Sequence, residues 1–262
     1  MKIKSKKSLG QNFLIDENIL DLICSLGNIN TEDNVIEIGP GTGNLTKLIS
    51  LKKPKKFIVV EKDKKLSELL NNKFTKNITI INEDFLSLDN NFFNYSNLIL
   101  FGNLPYNISS QILVKLIKIF YKNYKYKKII LMFQKEVADR IIAKYNTKNY
   151  GRLSVIANLS MDVEKIKDIG PNSFRPIPKV ISTILCFKPK KKVYKIKDIK
   201  NLEYITKTFF SFKRKMIKKP LNIVFKESSY IINKLNLDPN IRPQNLEPSN
   251  YYRICEEFEN SI

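Results

Sequence analysis

The chain has 262 residues, and 43% of its side chains are hydrophobic, which is enough to bury a full core. Lysine and arginine number 46 against 25 acidic residues, and the net charge of +21 favours a polyanionic partner such as nucleic acid. An AT-rich genome would explain lysine over arginine, but not the shortage of acids. Histidine is absent and the three cysteines lack C-x-x-C spacing, which excludes a histidine base and leaves no predicted metal site.

The N-terminal segment Met1–Lys7 is basic, but the apolar core of a signal peptide does not follow it. No apolar stretch of the sequence reaches the length of a membrane span. We therefore expect a cytoplasmic protein without a membrane partner. Because no exposed heptad or long apolar strip stands out, the expected state is a monomer.

Short β-branched or aromatic runs alternate with helical patterns through the first two thirds of the chain. The five predicted strands of this region are Val35–Ile38, Phe57–Val60, Ile78–Ile81, Leu98–Phe101 and Ile129–Phe133. The alternation predicts an α/β fold, in which helices cover both faces of a mainly parallel sheet.

Two further apolar runs follow, near Ser160–Ile169 and Val180–Phe187, and the Pro-rich loop Pro171–Pro178 joins them. Their length and composition predict two more strands, which could form an antiparallel edge of the sheet.

The character of the sequence changes after Phe187. Lys188–Lys192 has the composition of a basic linker, and helical periods dominate from Asp198 onward. We therefore predict two domains: residues 1–192, which include a basic N-terminal arm, and a small α-helical domain at residues 193–262.

A glycine-rich turn follows the first predicted strand, with glycines at Gly39, Gly41 and Gly43 and a helix that begins near Asn44. Glycines at these positions would let the backbone pass close under a ligand without a Cβ clash. The G-x-G-x-G spacing differs from the G-x-G-x-x-G of dinucleotide-binding proteins. An ordinary tight turn is the alternative explanation of this motif alone.

Acidic residues follow the next two predicted strands. Glu61 ends the second strand, where its carboxylate can accept hydrogen bonds from both hydroxyls of a ribose. Asp84 follows the third strand and can accept from the exocyclic amine of an adenine, with Phe85 beside it as an apolar wall. Each acid alone is more simply explained as a solvated strand end. Their occurrence at successive strand ends favours a nucleotide-like cofactor.

The tetrad Asn103-Leu104-Pro105-Tyr106 follows the fourth strand. The Asn103 side-chain oxygen and the Leu104 carbonyl could grip the hydrogens of an adenine amine and aim its lone pair at an electrophilic methyl group. Pro105 restricts the conformation of Leu104, and Tyr106 would stack on the base. A strand-end turn is the alternative. The tetrad therefore favours methyl transfer to the amino group of a planar base, a reaction that needs no histidine.

Together with these motifs, several further segments resemble the small-subunit ribosomal RNA adenine dimethyltransferases, the KsgA family. The segments that carry the resemblance are Leu9–Leu14, Glu37–Gly43, Asn103–Ser109, Gln134–Val137, Tyr150–Ser154 and Phe174–Val180. The resemblance extends over essentially the whole chain. It implies a Rossmann-like sheet that binds S-adenosylmethionine, and a C-terminal helical domain that recognises RNA.

The resemblance also implies the substrate: two adjacent adenosines in the 3′-terminal hairpin of small-subunit ribosomal RNA, each methylated twice on its exocyclic amine, in an assembling small subunit. By position, Asn12 and Leu14 match cofactor contacts of the family, as do Gly39, Glu61 and Asp84. Asn103 matches the residue that cofactor and substrate sites share. Phe174 aligns with an aromatic residue near the target base, although it could equally be a core residue that anchors the Pro-rich loop.

Two positions depart from the family pattern. Ile181 occurs where Asp is common, and Lys213-Arg214-Lys215 occurs where a more Arg-rich cluster is usual. The second change keeps the positive charge but loses one guanidinium group that could bind a phosphate through two hydrogen bonds. Together with Arg140 and Arg152, this cluster supplies the predicted RNA contacts.

Three other functions compete with this interpretation. The related large-subunit methyltransferases of macrolide resistance usually carry Ile in place of Leu104 and a glycine turn that differs around Pro40. The glycine spacing and the missing histidine disfavour an NAD-dependent dehydrogenase. A non-catalytic RNA-binding assembly factor would not need to retain Asn103 and Tyr106.

Overall fold

The structure is a computed structural model that describes residues 11–74, 77–121 and 126–261. Its internal contacts divide the chain into two units, Met1–Ala138 with Asp162–Pro189, and Asp139–Met161 with Lys190–Ile262. The predicted basic arm at the N-terminus lies outside the described residues. Within the described ranges, no helix has the length and apolarity that crossing a membrane requires.

A seven-stranded sheet forms the centre of the first unit. In chain order, the strands of the described residues are β1 (Phe13–Leu14), β2 (Asn34–Ile38), β3 (Lys56–Val60), β4 (Thr79–Ile81), β5 (Leu98–Asn103), β6 (Tyr126–Gln134), β7 (Met161–Ile169), β8 (Phe174–Arg175) and β9 (Ser182–Pro189). The order across the sheet is β4-β3-β2-β5-β6-β9-β7. The first five of these pair in parallel, and β9 pairs antiparallel with β6. The predicted parallel sheet with an antiparallel edge is confirmed.

Helices cover both faces of this sheet. They are α1 (Glu17–Gly27), α2 (Asn44–Leu51), α3 (Lys64–Lys73), α4 (Ser109–Phe120) and the first part of α5 (Lys135–Ile141). Successive side chains of a strand point to opposite faces, and all five residues of β2 are buried. Burial of every residue therefore requires a layer on each side, as the apolar runs predicted.

Two features at the edge of the unit differ from the prediction. Lys188 and Pro189 belong to β9 rather than to a linker, and the Lys188 ammonium lies 3.4 Å from Glu164 of β7. The short strands β1 and β8 pair antiparallel, with Leu14 opposite Phe174. Two-residue strands are too short to show a periodic pattern, so this pair has no recognisable signature in the sequence.

The second unit is helical, as predicted. Its helices within the described residues are α6 (Arg152–Ala157), α7 (Ile199–Ser211), α8 (Lys218–Val224), α9 (Ser228–Leu235) and α10 (Pro248–Ser261). Asp198 caps α7, because its side chain accepts a hydrogen bond from the Lys200 amide. Phe209 of α7 and Tyr251 of α10 pack edge to face in the core, with 5.4 Å between ring centroids.

The segment Asp139–Met161 groups with the second unit, whereas the predicted first domain includes it. The Tyr252 hydroxyl donates to the Val155 carbonyl at 2.7 Å, and the Tyr150 hydroxyl donates to the Leu246 carbonyl at 3.0 Å. These bonds join residues almost a hundred positions apart, which local patterns cannot reveal.

Candidate active site

A cavity lies at the carboxyl ends of β2, β3, β4 and β5. Its lining includes all eight residues predicted to bind the cofactor, namely Asn12, Leu14, Gly39, Gly41, Glu61, Asp84, Phe85 and Asn103. Three residues of the predicted catalytic set, Leu104, Pro105 and Tyr106, line it as well. Parallel strands bring their carboxyl ends to one edge of a sheet, and ligands of such sheets bind at that edge. The fold thus gathers motifs that the sequence places far apart.

The glycine turn forms one wall of the cavity. Gly39 and Gly41 have positive φ angles of 65° and 58°, which side chains other than glycine rarely adopt. Within 4 Å, a Cβ on Gly39 would meet only the Asn103 carbonyl oxygen, at 3.6 Å, whereas a Cβ on Gly41 would come within 2.6 Å of the Phe13 ring. Gly39 therefore keeps space open in the cavity, and Gly41 lets β1 pack closely against the turn.

The Glu61 carboxylate is held by the backbone of that turn and of its own strand end. Its Oε2 accepts from the Gly41 amide at 3.3 Å and its Oε1 accepts from the Asp63 amide at 2.8 Å. Burial raises the pKa of Glu61, while these hydrogen bonds lower it. Because each carboxylate oxygen can accept two bonds, the carboxylate retains capacity for a ligand.

Asp84 follows β4, two strands after the glycine turn in sequence, and lines the same cavity. The Lys62 ammonium lies 2.7 Å from its Oδ2, and its Oδ1 accepts from the Leu86 amide at 2.9 Å. Partial burial raises the pKa of Asp84, but the Lys62 hydrogen bond and the other contacts outweigh it, so the net shift is downward. The next residue, Phe85, is buried. The pair therefore presents an ionised acceptor beside an apolar ring.

Glu37 also lines the cavity, although it is not among the predicted site residues. It is buried near the carboxyl end of β2 and accepts a 2.7 Å hydrogen bond from the Thr46 hydroxyl. Burial raises its pKa to about 8. The signal was present in the sequence, since a lone carboxylate within an apolar run predicts a buried acid.

The Asn103 amide has a defined orientation. The atom that faces the Asn12 carbonyl at 2.9 Å is Nδ2, because a backbone carbonyl only accepts. Its partner atom Oδ1 is therefore the acceptor of the side chain. Leu104 is buried directly after it, so the tetrad is fixed in place by packing as well as by hydrogen bonding.

Tyr106 lines the cavity, and its hydroxyl forms a 2.7 Å hydrogen bond with the Ser182 hydroxyl at the start of β9. Burial raises the pKa of Tyr106, so the phenol stays protonated at neutral pH. Ser182 was not predicted as part of the site.

Phe174 does not join the cavity. It is fully buried in the hydrophobic core of the first unit, together with Leu14, Ile19 and Ile23. Of the two roles that the sequence left open, this placement favours the core residue, because a side chain without exposed surface cannot stack on a base.

The predicted RNA-binding residues are distributed over the second unit. Arg140 and Arg152 are exposed on α5 and at the start of α6. Arg214 and Lys215 line a concave surface after α7, whereas the Lys213 ammonium donates to the Lys148 carbonyl at 2.8 Å.

Three further cations line the same surface as Arg214 and Lys215, namely Lys218, Lys219 and Arg242. We call this set of five side chains the basic pocket. The Ile217 amide donates to the Ile241 carbonyl at 2.8 Å, which brings Arg242 beside the α8 lysines. Lys218 and Lys219 are close to Arg214 and Lys215 in sequence, so they could have been predicted as part of the same basic surface. Arg242 could not. In the part of the chain that the structure describes, no cluster of acids and cysteines could hold a metal ion.

Comparisons with known proteins agree with this geometry. A family model described as "Ribosomal RNA adenine dimethylase" matches residues 2–260. The chain is 52% identical over 259 residues to "Ribosomal RNA small subunit methyltransferase A" of Pelagibacter ubique, which covers 99% of this chain and 98% of that protein. A relative of the same description from Francisella tularensis subsp. novicida is 43% identical, with 97% of each chain covered.

Solved structures show the same fold. A dimethyladenosine transferase from Plasmodium falciparum superposes with a TM-score of 0.81 at 28% identity, over 95% of this chain and 98% of that one. The 23S rRNA methyltransferase ErmE superposes with a TM-score of 0.69 at 21% identity, over 94% and 99%, and shares the fold. The predicted Rossmann-like methyltransferase fold is thus confirmed, and the chain belongs to the ribosomal RNA adenine dimethylase family.

Proposed function

We propose that this protein transfers methyl groups from S-adenosylmethionine to the exocyclic N6 amines of two adjacent adenosines in the 3′-terminal hairpin of small-subunit ribosomal RNA. Each adenosine would be methylated twice during maturation of the subunit. The observation that carries the proposal is the convergence of Glu61, Asp84 and Asn103 on one cavity, at the ends of three strands of the sheet.

The cavity fits the cofactor. The space that a Cβ on Gly39 would enter is free of packed atoms apart from one carbonyl, so a ligand can lie against the turn. Glu61 would accept from the ribose hydroxyls, and Asp84 would accept from the adenine amine while Phe85 contacts the ring. Gly41, Asn12 and Leu14 complete the proposed binding surface. When bound, S-adenosylmethionine supplies an electrophilic methyl group.

The tetrad would activate the acceptor amine, whose lone pair is delocalised into the base. Asn103 Oδ1 and the Leu104 carbonyl are proposed to accept its two hydrogens, which favours a pyramidal nitrogen with a directed lone pair. The orientation of the Asn103 amide supports this role, since Nδ2 is already committed to Asn12. The methylated amine is acidic and releases its proton to water, so no protein base is needed.

Tyr106 is proposed to stack on the base after it has left its own stack. Pro105 restricts the backbone of Leu104 and so aims its carbonyl. RNA phosphates would be held by Arg140, Arg152, Lys213 and the basic pocket. Structured RNA is recognised mainly through its shape and phosphates, which suits the surplus of positive charge.

The direct test is a methylation assay with radiolabelled S-adenosylmethionine and small ribosomal subunits that lack the modification. Digestion of the RNA should recover label as N6,N6-dimethyladenosine from the 3′-terminal hairpin. Label in large-subunit RNA instead would identify the competing methyltransferase function. Tight binding to the particle without any label would identify a non-catalytic assembly factor.

Asn103→Ala is the matched variant for this assay. Loss of the acceptor should lower the turnover rate by about a hundred-fold or more, the scale of one lost preorganised hydrogen-bonding group. Affinity for the small subunit should change little. If affinity for the subunit fell with activity, the role proposed for Asn103 would be wrong.

A further inference from the structure

Lys115 of α4 is enclosed by the loop that follows Asp84. Its ammonium donates to the Phe85 carbonyl at 3.1 Å, the Leu86 carbonyl at 2.8 Å and the Leu88 carbonyl at 2.5 Å. It also lies 5.7 Å from the centroid of the Phe85 ring. An ammonium has three hydrogens to donate, so these carbonyls match its full capacity.

One peptide unit links this ammonium to the Asp84 carboxylate. The carbonyl of the peptide between Phe85 and Leu86 accepts from Lys115, and the N–H of the same peptide donates to Asp84 Oδ1 at 2.9 Å. A peptide unit is planar, so fixing its carbonyl also fixes its N–H. Lys115 thus orients the group that positions the Asp84 carboxylate.

We propose that Lys115 is a positioning residue of the adenine subsite, which it builds by clamping the loop that carries Asp84 and Phe85. The inference rests on the proposed function, because it gives Asp84 the role of acceptor for the adenine amine. Removing the clamp should weaken cofactor binding and, above all, reduce discrimination between adenine and other bases. RNA docking involves other surfaces and should be unaffected.

The electrostatics agree with a clamp rather than a surface lysine. Partial burial lowers the pKa of Lys115, while the negative charges of Asp84 and Asp89 raise it. Charge-assisted bonds to carbonyls are stronger than neutral ones, and their convergence defines the course of the loop. An apolar side chain would leave the carbonyls without this donor.

The test compares binding of S-adenosylhomocysteine with binding of its hypoxanthine analogue, in which a carbonyl oxygen replaces the adenine amine. The wild-type protein should prefer the adenine compound, since the analogue would place an oxygen against Asp84. In Lys115→Met we expect the dissociation constant of S-adenosylhomocysteine to rise about tenfold, the effect of one misplaced charge-assisted bond. The preference for adenine should largely disappear. Lys118→Met, which removes an exposed lysine from the same helix, should retain the affinity for S-adenosylhomocysteine and the preference for adenine.

Two outcomes separate the inference from the proposed function. If the wild-type protein does not bind S-adenosylhomocysteine or does not prefer adenine, the proposed function or the role of Asp84 fails. If the wild type prefers adenine and Lys115→Met prefers it equally, only the role of Lys115 is overturned.

Lys115→Arg decides the question if the Met variant does not fold. It keeps the charge, but its planar fork cannot direct donors to three convergent carbonyls. We expect weaker binding and reduced discrimination with normal affinity for the small subunit, and an unchanged preference for adenine would overturn the proposal. In an Asp84→Asn background, the Lys115 variants should cause no further loss of discrimination, because Lys115 acts through Asp84.

Discussion

The hydroxyl of Tyr106 and the hydroxyl of Ser182 lie 2.7 Å apart, and this bond ties the turn after β5 to the antiparallel strand β9. Ser182 is fully buried, so it cannot contact RNA itself. The bond instead fixes the direction of the Tyr106 ring, which is proposed to stack on the target base.

Ser182→Ala should therefore lower the turnover rate about five-fold, since a hydrogen bond of this kind contributes about 1 kcal/mol. Cofactor affinity should remain normal. Tyr106→Phe should have a similar effect, because it removes the same bond from the other side. The double variant should be no slower than either single one, and additive losses would show that the two hydroxyls act independently.

Much of the cavity could be predicted from sequence because each contributing motif is local. Glu61 and Asp84 each follow a strand, and Asn103 ends one, so the prediction of a parallel sheet was enough to bring them together. The positive φ of Gly39 likewise follows from a short glycine motif. The elements predicted best were those whose signal lies within a few neighbouring residues.

The remaining features depend on contacts that sequence patterns do not encode. Ser182 lies 76 positions from Tyr106, and Lys115 lies 30 positions from Phe85. The residue type of a serine or a lysine does not indicate which distant residue it contacts. For Phe174, the alignment with a family motif was compatible with two roles, a contact with the target base and a position in the core. Only its burial in the structure favours the core position.

A side chain at Gly102 is expected to force its buried neighbours to shift. A Cβ on it would lie 2.7 Å from Leu104 Cδ2 and 3.0 Å from Leu131 Cδ2, which are buried. Gly102→Ala would therefore displace the Leu104 side chain, and we expect this shift to move the backbone carbonyl that is proposed to accept from the substrate amine. We expect turnover to fall by about ten- to a hundred-fold, together with a loss of stability of about 1–3 kcal/mol.

Gly170→Ala is the control for this prediction, because a Cβ there would meet nothing within 4 Å. Steady-state kinetics and thermal unfolding of both variants would make the comparison. Normal turnover in Gly102→Ala would contradict the prediction that a displaced Leu104 impairs methyl transfer.

Glu37 should make the stability of the protein depend on pH. Burial raises its pKa in the folded state to about 8, against a reference value of 4.5. Between these values the folded state binds the proton more tightly than the unfolded chain, so the free energy of unfolding decreases as pH rises through this window. Glu37→Gln stays neutral and can still accept a hydrogen bond from Thr46. It should therefore remove the part of the pH-dependent loss of stability that Glu37 causes.

Chemical unfolding of the wild type and Glu37→Gln at pH 5 and pH 8 would measure the effect. Relative to the wild type, Glu37→Gln should be more stable at pH 8 than it is at pH 5. Glu32→Gln, at an exposed position near the start of β2, should not change the pH dependence. A constant difference between wild type and Glu37→Gln across the window would mean that Glu37 ionises normally in the folded protein.

The basic pocket should bind RNA through phosphates rather than through base edges, because its polar lining is dominated by cations without an acidic acceptor among the lining residues that the structure describes. Lys218→Ala and Lys219→Ala should each weaken binding to small subunits and to unrelated RNA alike. Each lost phosphate contact should reduce the slope of log affinity against log salt by about 1. Lys226→Ala removes an exposed lysine of the same unit outside the pocket and should leave the slope unchanged. An equal loss from all three variants would mean that affinity follows net charge alone, and the pocket would then have no particular role in docking.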